Sequence, residues 1–75
     1  MIKKLLHYKK AYKKVREYVE YNLEMYKDLL EHMKEIEQEY GSNEFSRSRI
    51  NDYKAQIITA KGILNAIDHY EIETL

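Results

Sequence analysis

The chain is predicted to be all-α: an antiparallel helical hairpin, with one long and one shorter helix, that assembles as a homo-oligomeric helical bundle. Three observations predict it. An apolar heptad runs unbroken from Leu5 to Tyr40, a Gly-Ser-Asn turn follows, and a second three-four pattern continues from Ile50 to Ile67. All 75 residues are read as one domain, with helix 1 over about 2–40, a turn at 41–43 and helix 2 over about 44–70.

Helix 1 carries the strongest signal. Alternate steps of three and four from Leu5 land on Tyr8, Tyr12, Val15, Val19, Asn22, Tyr26, Leu29, Met33, Ile36 and Tyr40, and of these positions Asn22 alone is neither apolar nor aromatic. Such a period marks a helix whose apolar seam meets another helix. At 1.5 Å per residue the element is about 58 Å long. No Ser, Thr, Asp or Asn precedes Ile2 to cap the first turn.

The turn follows from capping chemistry. Gly41 suits the left-handed conformation just past a helix C-terminus. Ser42 and Asn43, with Ser46 as a fallback, can accept from the exposed N–H groups of helix 2. So short a connection makes the helices antiparallel neighbours.

Helix 2 places Ile50, Tyr53, Ile57, Ala60, Leu64 and Ile67 on one line. The expected layers are Ile36/Ile50, Met33/Tyr53, Leu29/Ile57, Tyr26/Ala60, Asn22/Leu64 and Val19/Ile67. The same register sets Arg47 and Arg49 near Glu35, Glu37 and Glu39, and Asp68, Glu71 and Glu73 near Lys13, Lys14 and Arg16.

Two features exceed what a lone hairpin needs. Residues 1–11 overhang helix 2, with Leu5, Leu6 and Tyr8 uncovered. Between Ala55 and Ile67 the only charge is Lys61, and Ala55, Thr59, Gly62 and Ala66 form a small-residue stripe. Gly within a helix costs about 1 kcal/mol against Ala, which assigns Gly62 and Ala66 to close approach of another helix. Tyr18, Leu23, Met25 and Leu30 widen the apolar face of helix 1. A chain this small usually needs a staple or a partner, and without Cys it has no disulfide. A second copy is therefore expected, with Asn22 setting register.

Formal net charge is zero, yet the charge is sorted along the chain. Residues 1–16 carry seven Lys or Arg and no acid, and residues 17–40 carry eight acids against two Lys. An antiparallel pairing of helix 1 with its copy answers this asymmetry: Leu5 meets the partner's Ile36, Tyr12 the partner's Leu29 and Val19 the partner's Asn22. Lys4, Lys10 and Lys13 then face the partner's Glu37, Glu31 and Asp28. A parallel pairing sets like charge against like.

Charged residues at 35% and hydrophobic ones at 44% describe a chain able to fold yet far from any membrane-spanning run, and its start lacks the apolar core of a signal peptide. The expected location is cytoplasmic. Helical spacing brings Asp28, Glu31, His32 and Glu35 together, and separately His69 and Glu73, but the Glu-x-x-His string of bundle metal sites is absent. There is no Gly-rich phosphate loop and no nucleophile with a base, so no enzyme, metal or cofactor is expected.

The expected function is a non-enzymatic interaction protein, an inhibitor, adaptor or regulator. It binds another protein through the outer face of helix 1: Lys10, Lys13, Lys14, Glu17 and Tyr21. One alternative is an oligomeric sponge for a nucleotide-like anion, held by Tyr12, Arg47, Arg49 and Lys54 at subunit junctions. Another is nucleic-acid binding by the basic end of helix 1, where Lys contacts phosphate and Tyr stacks on bases. In its Lys, Ile, Asn, Tyr and Glu content the chain resembles small accessory proteins of low-GC bacteria and their phages, host-defence antagonists among them. No motif ties it to a named family.

Overall fold

A computed structural model describes residues 2–74 of the chain and the side-chain surroundings of residues 9–69. Helix α1 (Ile2–Tyr40) and helix α2 (Glu44–Thr74) pack against each other as an antiparallel hairpin, in a rod of 58 × 15 × 14 Å. Helix α2 runs four residues past the expected end at Tyr70. No Gly or Pro follows Ile67 to stop it, so the helix continues.

The turn is built from two interlocking caps. Gly41 has φ +87° and its N–H donates to the Glu37 carbonyl at 2.8 Å, closing α1 with a left-handed cap. Asn43 is the N-cap of α2: its Oδ1 accepts from the Ser46 N–H at 2.8 Å, while Ser46 Oγ accepts from the Asn43 N–H at 3.0 Å. Glu44 places a carboxylate in the first turn, where the helix dipole favours it.

The interface between the helices is narrow. Val19, Leu23, Ile57 and Ala60 form its centre, with Tyr26, Leu30 and Leu64 packed around them, and Ile50 and Ile67 extend it along α2. The Tyr26 and Tyr53 rings lie 6.1 Å apart, tilted by 41°. Each buried aliphatic side chain is worth roughly 1.5–3 kcal/mol. Among the described residues, though, even the core side chains keep 7–9% of their surface exposed. Two rods alone do not exclude water.

This interface corrects the expected seam of α1. Val19 and Tyr26 face α2 as expected, but Leu23 and Leu30 fill the positions expected of Asn22 and Leu29. Asn22 is half-buried, Leu29 is exposed, and Val15 is 48% exposed. The reason lies in the width of the apolar stripe. From Val19 a step of three reaches Asn22 and a step of four reaches Leu23; both lines carry apolar residues, and packing selects the more apolar one. Of the expected charge pairings, Arg16 is ion-paired with Asp68 and Arg47 acts electrostatically on Glu37. Leu5, Leu6, Tyr8, Glu71 and Glu73 lie outside the residues whose side chains are described.

Candidate interaction surface

Around α1 the side chains fall into three exposed or half-exposed sectors beyond the one that meets α2. Lys10, Lys13, Lys14, Glu17 and Tyr21 are all exposed. Their spacing places them on the side of α1 turned away from the Val19–Leu23 edge. Tyr21, 69% exposed, is the large aromatic of that sector. A second sector carries Glu20, Glu24, Lys27, Glu31 and Lys34, a solvated charged flank.

The third sector is apolar. Val15, Tyr18, Asn22, Met25 and Leu29 follow one another at steps of three, four, three and four along a line that α2 covers only in part. Tyr18 is 70% exposed, Val15 48%, Met25 and Leu29 37%, and Asn22 is half-buried. Beside it on α2 stand Gln56, Thr59 and Ile63. Tyr18, Val19, Asn22 and Tyr26 from α1 and Gln56, Thr59, Ala60 and Ile63 from α2 line a shallow open groove of about 230 Å³ between the helices. The groove holds no charged side chain.

The residues proposed to hold a small anion are not gathered within one chain. Arg47 and Lys54 bear electrostatically on Glu37, whereas Arg49 lies over the Phe45 ring at 5.2 Å. Tyr12 sits near the other end of the rod, twenty-five residues of α1 from Glu37, which is about 38 Å. Of the three expected acids, Glu35, Glu37 and Glu39, it is Glu37 that Arg47 and Lys54 act on. Its carboxylate is held below the ordinary value by hydrogen bonds from Ser46, at 2.7 Å, and from Ser42, with Arg47 and Lys54 adding a smaller effect in the same direction.

Gly62 is exposed, and a Cβ built on it meets nothing within 4 Å. Ala66 is exposed as well. Among the described residues no group of three His, Asp or Glu side chains assembles at a spacing that could hold a metal ion, and no helix is long and apolar enough to cross a membrane.

The chain matches no protein-family model, and no curated protein or solved structure matches it. Its surface chemistry alone carries the functional reading.

Proposed function

We propose that this is a non-enzymatic interaction protein of the cytoplasm that self-associates as a helical bundle and binds a second, macromolecular partner through the outer face of α1. One observation carries the reading: Lys10, Lys13, Lys14, Glu17 and Tyr21 form an exposed, mixed-charge patch anchored by a tyrosine, on the side of α1 that α2 never touches. Tyr supplies contact area at low entropic cost and is enriched among residues that dominate binding. Rim charges set association rate and choice of partner. A protein acting this way works by occlusion or bridging, as an inhibitor, adaptor or regulator does.

The test is affinity capture from lysate with the wild-type chain and with Tyr21→Ala and Lys13→Glu variants. A partner retained in stoichiometric amount by the wild type and lost from both variants supports the proposal. Recovery of no such partner overturns it. Salt-sensitive retardation of random DNA or RNA would move the function to the basic end of α1, and a co-purifying nucleotide that survives high salt would move it to Arg47, Arg49 and Lys54.

A further inference from the structure

The apolar flank of α1 and the groove beside it are a candidate docking face, and three observations bear on its occupant. The first is area. The lone hairpin exposes 6396 Å². A folded monomer of 9.1 kDa is expected to expose about 4,900 Å² by the usual scaling of surface with mass. The excess is about 1,500 Å², whereas a stable dimer interface takes about 800 Å² from each partner. The rod as a whole exposes more surface than a dimer interface takes.

The second observation is the distribution of charge along the border of that flank. Lys10 and Lys14, with the single acid Glu17, border its N-terminal half, and Asp28 and Glu35 border its C-terminal half. A copy laid antiparallel, with the two-fold axis crossing α1 near Asn22, brings Lys14 to the partner's Asp28 and Lys10 to the partner's Glu35. The dimer face and the face proposed for a second partner therefore share the edge that carries Lys10 and Lys14. Val15 then meets the partner's Leu29, and Tyr18 the partner's Met25. If α1 lay instead over the partner's α2, Asp28 would face Ala55, Gln56 and Thr59, none of them charged.

The third is the groove itself. The register fixed by Arg16 and Asp68 puts Ile63 beside Asn22, and both line the groove. One two-fold axis therefore passes both residues, so Ile63 meets its own copy and Thr59 meets the partner's Ala66. Asn22 meets Asn22 of the partner subunit, and a primary amide can both donate to and accept from its twin. A polar residue at such a position selects register and copy number.

We infer that the second copy docks on the Val15–Tyr18–Asn22–Met25–Leu29 flank, α1 antiparallel to α1 and α2 to α2, in a two-fold dimer centred on Asn22 and Ile63. The inference rests on the self-association proposed above and names its face and direction. It separates two apolar uses that the sequence had placed on one seam. Tyr12 and Val19, expected to meet the second copy, belong to the sector that turns toward α2.

The chain has no cysteine, so single-cysteine variants report on this geometry directly. Asn22→Cys, oxidised with oxidised glutathione, is expected to yield a covalent dimer. A mixture of Tyr18→Cys and Met25→Cys chains, checked for helical content by circular dichroism, is expected to yield the mixed dimer. Ile58→Cys, on the opposite flank of α2, is expected to yield none. Lys14→Glu should weaken dimerisation about tenfold or more, and adding Asp28→Lys should restore it, because like charges set face to face are costly. Light scattering on the wild-type chain separates the two levels. A monomer overturns self-association altogether. A dimer that cross-links through Ile58→Cys but not through Asn22→Cys, or mixed Tyr18→Cys and Met25→Cys chains that do not pair, overturns the face alone.

Discussion

The hydroxyl of Ser46, in the first turn of α2, donates to the Glu37 carboxylate, in the last turn of α1, at 2.7 Å. Ser46 is 3% exposed and also accepts from the N–H of the capping Asn43. One small polar side chain thus closes the N-terminus of one helix and ties it to the end of the other.

That bond makes stability depend on acid. The carboxyl of Glu37 lies below its ordinary value of 4.5 chiefly because Ser46, and then Ser42, hydrogen-bond to its charged form. A carboxylate depressed by folding contributes stability that is fully present above the unfolded value and is lost as pH falls through the folded one. The urea midpoint should therefore drop as pH falls from neutral past 4.5, and Ser46→Ala should flatten that part of the profile. An unchanged slope in Ser46→Ala would mean that other carboxylates carry it.

Asn43→Ala removes the side-chain acceptor of the N-cap and should cost about 1 kcal/mol in urea unfolding. Asn43→Ser keeps an acceptor and should recover most of it. Equal losses in both would point away from capping.

Ile57 and Ile58 are neighbours in sequence with opposite environments. Ile57 is 9% exposed within the core, and Ile58 is 71% exposed. Ile57→Ala should destabilise by about 2 kcal/mol, at the low end of the range for buried aliphatic truncations because this core is thin. Ile58→Ala should stay within about 0.5 kcal/mol of wild type. Equal losses at both positions would place α2 in a different rotation against α1.

The two glycines should respond with opposite signs. Gly41 occupies φ +87°, so Gly41→Ala should cost roughly 1–2 kcal/mol. Gly62 lies in a regular helix with open space where a Cβ would stand, so Gly62→Ala should stabilise by up to about 1 kcal/mol. A loss at Gly62 would instead reveal a neighbouring helix in close contact there.

The ion pair between Arg16 and Asp68 fixes the register more than it stabilises the fold. Its side chains are 31% and 57% exposed, so solvent screens the attraction. A double-mutant cycle with Arg16→Ala and Asp68→Ala should give a coupling of about 0.2–1 kcal/mol, decreasing with added salt. A coupling of several kcal/mol would mean that the pair is dry.

The helices, the turn and the antiparallel direction were legible in the residues alone. Each depends on local chemistry: uninterrupted periodicity over Leu5–Tyr40, the left-handed preference of Gly41, the capping amide of Asn43. The ion pair of Arg16 with Asp68 was legible too, because a hairpin register is one number that every layer shares. Which line of α1 faces α2 was settled by packing alone. Asn22 and Leu23 are adjacent on an apolar stripe wider than one helix can cover, and no local preference separates them. Packing turned Leu23 and Leu30 inward because burying an amide without partners costs more than burying a methyl group. That rotation left Val15, Tyr18, Met25 and Leu29 partly exposed, and it drew the surface on which a second chain is proposed to lie.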